Sequence, residues 1–326
     1  MKTKILQKLK ETDGYLSGQE LCDALGISRT AVWKYVNKLK EEGYRIEAVP
    51  NKGYHLLHVP DVFTESEIKS RLSTQWAGRE VVCYSLVDST NNAAKIAAEQ
   101  GGVHGTLFLA EQQSSGKGRR GRNWVSPPGT GIWMTILLRP QLEPSCASML
   151  TLVAALSVSR AIEEVNGLKA QIKWPNDVVV NGKKVCGILT EMSAEMEWIH
   201  YVVIGLGINV NVEEFPKELE STATSLRIEG RREVERVPII CTFLSYFETD
   251  YENFIREQNL SRFLEEYNKR LVNCGREVRV LEPKGEYTGV ARGIDPLGAL
   301  IVEREKGEMV RITSGEVSVR GIYGYV

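Results

Sequence analysis

The sequence has almost no net charge and few of the residues that carry metal or redox chemistry. Its 326 residues hold 41 lysines and arginines against 42 aspartates and glutamates. The molecule as a whole is therefore no polyelectrolyte binder, and any nucleic-acid surface must be local. The six cysteines (Cys22, Cys83, Cys146, Cys186, Cys241 and Cys274) are scattered without a C-x-x-C pair. That argues against a zinc ribbon or a disulfide framework and for a reducing compartment. Four histidines sit outside every motif, and no Ser/His/Asp or Cys/His set is visible, so nucleophilic catalysis by the chain is not expected. No apolar run approaches the ~20 residues of a membrane helix. Met1-Lys2-Thr3-Lys4 turns charged too early for a signal peptide. The expectation is a cytoplasmic protein of two or three domains, with no membrane partner.

What is present begins with helix punctuation. Ile5, Leu6 and Leu9 give a short helix its apolar face. Ser17-Gly18-Gln19-Glu20 is a capping box, and Gly26 ends the helix that it opens. Ser28 caps a further helix with Val32, Val36 and Leu39 on one face. Arg29, Thr30, Trp33, Lys34 and Asn37 fall largely on the other. Two strand-like runs around Pro50-Asn51-Lys52-Gly53 then read as a wing. Residues 1–60 carry ten lysines and arginines against seven aspartates and glutamates. The order fits a winged helix-turn-helix whose groove-facing residues are those five, with Lys52 as a phosphate contact. A small helical bundle packed on the rest of the chain is the plainer alternative.

Further along, Gly116-Lys117-Gly118-Arg119-Arg120-Gly121-Arg122-Asn123-Trp124 places three glycines and four cations in one loop. A strand precedes it and Pro127-Pro128 follow, so the loop hangs between strands. The spelling G-x-G-x-x-G is a false match to the dinucleotide fingerprint, because the last glycine opens no helix. Glycines let backbone N–H groups approach an anion, and guanidinium forks match carboxylate or phosphate. A solvated basic loop or a nucleic-acid patch is the competing reading.

Three more constellations stand out. Asp88-Ser89-Thr90-Asn91 begins a helix, where four small polar residues either cap it or bond a neutral polar ligand. Lys173-Trp174-Pro175-Asn176-Asp177 enters a hairpin turned by Asn181-Gly182. A two-residue turn there pairs Val180 with Lys183, Val179 with Lys184 and Asp177 with Cys186. Asp177 and Lys184 then share one face, as a surface ion pair or as a rigidly presented acid and base. Gly205-Leu206-Gly207-Ile208-Asn209 is a strand open to close backbone approach, with Asn209 breaking its apolar run.

Together these motifs resemble the biotin–protein ligase family, and with the helix-turn-helix they resemble its bifunctional ligase and biotin-operon repressor members along the whole chain. One departure is Lys117, where the family loop more often has arginine; the charge is kept and the bidentate fork lost. The resemblance implies an α+β multidomain protein. Its parts are a winged helix-turn-helix (1–60), a mixed-sheet α/β ligase domain (61–273) and an SH3-like β-barrel (274–326). The short strands after Gly275, with turns such as Asp295-Pro296-Leu297-Gly298 and Thr313-Ser314-Gly315, independently suggest a small barrel.

By the same resemblance, Ser89, Thr90, Asn91 and Gln113 hold the ureido ring of biotin, while Lys117, Gly118 and Arg119 contact its carboxylate or the adenylate phosphate. Lys184, Arg119 and Asp177 are the catalytic set, with Lys184 beside the reacting carboxylate and Asp177 placing magnesium or the incoming lysine. Trp124, Asn209 and Arg227 border the adenylate, supported by Arg120, Arg122 and Asn176. The implied substrates are ATP and biotin, with Mg2+. The implied partners are a biotin carboxyl carrier protein, operator DNA of biotin synthesis genes, and a second copy of the chain once the adenylate is bound. A biotin-sensing repressor without catalysis, and a ligase for lipoate or a related acid, are the alternatives.

Overall fold

In the computed structural model, residues 1–282, 285–313, 318–321 and 325–326 are described, and the chain divides into two units, Met1–Ser73 and Thr74–Val326.

The first unit starts with α1 (Lys2–Glu11), α2 (Gly18–Leu25) and α3 (Arg29–Glu41). Their apolar faces, Ile5, Leu6, Leu9, Leu21, Val32, Val36 and Leu39, close on a common core. The capping box is reciprocal: the Glu20 N–H donates to Ser17 Oγ at 3.1 Å, and the Ser17 N–H donates to the Glu20 carboxylate at 2.8 Å. Gly26 adopts the left-handed conformation that ends α2. β1 (Arg45–Val49) and β2 (Gly53–His58) form the antiparallel wing. Gly53 is irreplaceable there, because its φ is +112° and a Cβ would lie 2.2 Å from the Leu16 carbonyl oxygen. Thr64 caps the short α4 (Glu65–Lys69), whose Glu67 is buried. That carboxylate accepts the Tyr44 hydroxyl at 2.6 Å and pairs with Lys10 at 2.6 Å and Arg71 at 2.8 Å.

The second unit is built on a mixed seven-stranded sheet. In chain order its elements are β3 (Val81–Val87), α5 (Thr90–Glu99), β4 (Leu107–Gln113), β5 (Gly131–Leu138), α6 (Met149–Asn166), β6 (Gln171–Lys173), β7 (Asp177–Val180), β8 (Lys183–Ala194) and β9 (Ile199–Asn209). Then come α7 (Leu226–Gly230), α8 (Arg236–Glu257) and α9 (Leu264–Arg270). The strands lie in the order β3-β4-β5-β9-β8-β7-β6. β3 and β4 pair in parallel through the α5 crossover, and the other neighbours are antiparallel. Side chains alternate across a strand, so β8 sends Glu191 to α5 and Thr190 to α6. The two helices therefore cover opposite faces. Ala94 and Ala98 of α5 pack on Phe108, Leu137 and Val203.

Two sequence expectations need correction. The segment Pro144–Asn166, which contains α6, is long and apolar enough to pass for a membrane span, contrary to the reading that no run comes close. Most of it is buried inside the fold, because it packs on both the sheet and α8 and so has no polar face. The β7–β8 hairpin keeps Val180 opposite Lys183 and Val179 opposite Lys184, but a bulge follows. Val185 is the extra residue, so Asp177 faces Gly187 rather than Cys186. Lys184 lies before the bulge, which is why it remains the diagonal neighbour of Asp177.

After α9, the strands β10 (Glu277–Glu282), β11 (Gly285–Ile294), β12 (Leu300–Glu303), β13 (Met309–Ile312) and β14 (Ser318–Gly321) make an antiparallel sheet in the order β13-β12-β11-β10-β14. Among the described residues no pairing joins β13 to β14. Of the expected turn Thr313-Ser314-Gly315, Ser314 and Gly315 lie outside the described residues. The sheet is tied to the seven-stranded one by the Trp174 indole N–H, which donates to the Gly298 carbonyl at 3.1 Å.

Candidate active site

The site rests on a bare strip of the seven-stranded sheet. Direct cross-strand partners share a face, and one row of partners runs Trp133–Gly207–Gly187–Asp177–Lys173 across β5, β9, β8, β7 and β6. The next row places Thr135 beside Gly205 and Leu189. Glycine at 187, 205 and 207 leaves a trough on the α5 face. A Cβ on Gly205 would come within 2.2 Å of Asn91 Oδ1, and one on Gly207 within 2.6 Å of the Trp124 indole. The side chains that approach this backbone are thus Asn91 and Trp124.

At one end of the trough lies a chain of neutral polar groups. The Ser89 side chain makes no capping bond to α5. Instead Gln113 caps the helix from β4: its Oε1 accepts the Thr90 N–H at 2.8 Å and the Thr90 hydroxyl at 3.1 Å. The Gln113 amide N–H donates to Ser126 Oγ at 2.9 Å. Thr135, buried in β5, lies 2.8 Å from Thr90 Oγ1 and donates to Asn91 Oδ1 at 2.6 Å. Asn91 donates to Glu191 at 2.7 Å, and Glu191 pairs with Lys95 at 2.8 Å. Burial would raise the Glu191 carboxyl, but Lys95 and Asn91 outweigh it and hold it below the ordinary value of 4.5. Each member thereby fixes the orientation of the next.

At the other end the groups are charged. Lys184 Nζ stands 2.5 Å from Asp177 Oδ1, an ion pair that is off hydrogen-bond alignment, and 5.2 Å from the centre of the Trp124 ring. The glycine-rich loop closes over the trough by its own bonds. The Gly118 N–H donates to the Arg122 carbonyl at 2.7 Å, and the Trp124 N–H donates to that of Gly116 at 2.9 Å. Lys117 reaches back to Asn92 at 3.1 Å. Burial and the neighbouring Arg120 pull the Arg119 guanidinium down, while the Asp177 carboxylate opposes them; an arginine stays charged regardless. The indole N–H of Trp124 is buried with no partner among the described residues. Cys186, behind Gly187, is no nucleophile, since burial pushes its thiol far up.

The resulting cleft holds about 440 Å³ of space, counting the solvent at its mouth. Ser89, Thr90, Asn91, Gln113, Lys117, Gly118, Arg119, Trp124, Asn176 and Lys184 all line it. Asp177 meets it through Lys184. Arg120 and Arg122 are exposed on the loop and do not line the cleft. Asn209 is buried, donating to the Thr224 carbonyl at 3.2 Å. It thereby pins a segment whose residues 222–224 run beside Lys184: the Lys184 N–H donates to the Thr222 carbonyl at 2.8 Å. Arg227 follows that segment and pairs with Glu213 at 3.0 Å.

Sequence reasoning missed Met134, Gly187, Ile188 and Leu189 as lining residues, and Thr135 and Glu191 behind them. Thr135 alone had a signal, as the one hydroxyl inside the apolar run Gly131–Leu138. Among the described residues no group of three or more acidic, histidine or cysteine side chains is placed to hold a metal.

In the first unit, α3 exposes Arg29, Thr30, Trp33 and Lys34, with Asn37 half-buried between them; Trp33 is 60% exposed. Lys52 is exposed on the wing, 5.6 Å from the centre of the Tyr15 ring.

Comparison with known proteins agrees with this geometry. Residues 82–209 match the Biotin/lipoate A/B protein ligase family, residues 2–55 an HTH domain, and residues 274–320 the Biotin protein ligase C terminal domain. The chain is 39% identical over 309 residues to the bifunctional ligase/repressor BirA of Bacillus subtilis, covering 94% of each chain. It is 28% identical to the protein of the same name from Escherichia coli, covering 93% of this chain and 92% of that one. The solved biotin protein ligase of Aquifex aeolicus, in complex with biotin and ATP, is 31% identical with a TM-score of 0.65, covering 74% of this chain and 99% of that one.

Proposed function

The chain belongs to the biotin–protein ligase family, and from that premise we propose that it joins biotin to ATP as biotinyl-5′-adenylate and passes it to a lysine of a biotin carboxyl carrier protein. In the same reading, its helix-turn-helix represses biotin synthesis genes with the adenylate as corepressor. The observation that carries this is the polarity of the cleft. An oriented neutral network at one end suits a ureido ring, which needs paired donors and acceptors. Three cations, Lys117, Arg119 and Lys184, suit a carboxylate and an α-phosphate at the other. Lipoate would present no group for the neutral network.

The first step is attack of the biotin carboxylate on the α-phosphorus of ATP, releasing pyrophosphate. Both partners are anions, and Lys184 with Arg119 lowers their repulsion and the charge that develops. In the second step the ε-amine of the carrier lysine attacks the mixed anhydride, an amide forms and AMP leaves. Asp177 orients that amine and takes its proton. Ser89, Thr90, Asn91 and Gln113 hold the ureido ring, and Gly118 brings its backbone to the ligand. Trp124, with Asn209 and Arg227 behind, borders the adenylate, supported by Arg120, Arg122 and Asn176. Positioning and charge neutralisation suffice, with no enzyme nucleophile. Magnesium carried by ATP fits one protein carboxylate plus phosphates and water, and Asp177 would be that carboxylate.

We assign DNA binding to residues 1–60, ligand chemistry to 61–273 and an SH3-like fold to 274–326, in a cytoplasmic protein. Residues Arg29, Thr30, Trp33, Lys34 and Asn37 enter the major groove and Lys52 holds a phosphate. A homodimer formed on adenylate binding then reads the two half-sites of a palindromic operator. The test is ATP-dependent biotinylation of a carrier domain, read as an amide on one lysine, in wild type and Asp177→Asn. Labelling that needs ATP and slows in the variant supports the reading. A folded protein that binds biotin but labels nothing would make it a sensor, and equal use of lipoate would undo the choice of acid.

A further inference from the structure

The charged row of the sheet continues past Asp177 to Lys173, its direct partner on β6. Lys173 is only 6% exposed, and the reaction proposed above gives it no part. Tyr325 lies over this end of the row. Its ring centre is 3.3 Å from Lys173 Nζ, and its hydroxyl donates to Asp177 Oδ2. The next residue, Val326, sits against the hairpin turn at Gly182. A residue beyond the C-terminal sheet therefore touches the same carboxylate that Lys184 holds from the other oxygen.

We propose that Tyr325 is a positioning residue for the transfer step: its ring is seated on Lys173 and its hydroxyl keeps the Asp177 carboxylate aimed into the cleft when Lys184 turns to the ligand. The inference rests on the ligase reading. A carboxylate has about four lone-pair sites; the Tyr325 hydroxyl uses one on Oδ2, and Oδ1, which Lys184 meets as an ion pair off hydrogen-bond alignment, keeps its own for the incoming amine. Once the adenylate's phosphate draws Lys184 away, the Tyr325 hydroxyl is the donor that still fixes Oδ2. The cation–π seat on Lys173 holds the phenol in one place and offsets the burial of that ammonium. In this way a segment far along the chain completes the site that β7 and β8 begin.

The experiment is single-turnover transfer from preformed biotinyl-5′-adenylate to a carrier domain, as a function of carrier concentration. It compares wild type, Tyr325→Phe, Asp177→Asn and the double variant. Phenylalanine keeps the ring on Lys173, so the packing survives. The maximal transfer rate of Tyr325→Phe should fall about tenfold, the order of one hydrogen bond to a charged group, with the half-saturating carrier concentration little changed. On the Asp177→Asn background the same substitution should have no further effect. An unchanged transfer rate, or losses that multiply in the double variant, would overturn the proposal. If wild type itself transfers nothing, it is the ligase reading that has failed.

Discussion

Gly205→Ala tests the trough most sharply, because it adds one methyl group and nothing else. The new Cβ would lie 2.2 Å from Asn91 Oδ1, 2.9 Å from its Cγ and 3.1 Å from its Nδ2. Relieving the closest contact takes about 1 Å of movement, and β9 is paired on both sides, so Asn91 must yield. Asn91 is 4% exposed and bonded to Thr135 at 2.6 Å and Glu191 at 2.7 Å. Rotating it away forfeits a neutral bond of about 1 kcal/mol and a charge-assisted one of about 2 kcal/mol. We expect a loss near 3 kcal/mol, a Tm lower by about 6–12 °C, and biotin affinity weakened about a hundredfold. Calorimetry gives the first two and titration with biotin the third. The decisive control is Asn91→Ala: with the amide gone, adding Gly205→Ala should cost little. An undiminished cost on that background would refute the reasoning, since the methyl group would then be clashing elsewhere.

Three other outcomes follow from single contacts. Glu191 is held below its ordinary 4.5, so its contribution is complete above that value and is lost as pH falls through the lowered one. The Tm gap between wild type and Glu191→Gln should therefore be constant at neutral pH and close as the pH falls below the ordinary carboxylate value and through the lowered one. The Glu248 carboxylate on α8 accepts the N–H groups of Gln75, Trp76 and Ala77 at 2.7, 2.7 and 2.8 Å. Glu248→Ala strands three amides and should destabilise the second unit by about 3 kcal/mol in urea titration, whereas loss of under 1 kcal/mol would mean that water replaces the carboxylate. Lys52→Ala should weaken binding to all DNA sequences alike and reduce the salt slope by about one, measured by fluorescence anisotropy; a sequence-selective loss would instead place Lys52 on a base.

Much of this site could be read from the chain because its signals are local. A glycine-rich cationic loop, an Asn-Gly turn and a capping box each act within a few residues, and Lys184 pairs with Asp177 across one hairpin. The bulge at Val185 was not legible, since nothing in Lys-Lys-Val-Cys-Gly marks which residue loses its partner. Nor were the bonds that Gln113, Thr135 and Glu191 make to Thr90 and Asn91, which depend on how β3, β4, β5, β9 and β8 are ordered. The row from Trp133 to Lys173 draws on five strands spread over 75 residues of sequence. Alternation gives each strand's two faces, and only long-range pairing says which residues meet. For α6, composition reports that the helix is apolar, and only the fold says that protein rather than lipid surrounds it.

The central claim is that Lys184, Arg119 and the loop cations join a carboxylate to an α-phosphate. Biotin-dependent exchange of labelled pyrophosphate into ATP tests it most directly, with wild type beside Lys184→Ala. Exchange should require biotin and fall by at least about a hundredfold in the variant, the order of removing one electrostatic donor from a reacting site. Exchange that persists undiminished in Lys184→Ala, or that never occurs although biotin binds, would contradict it.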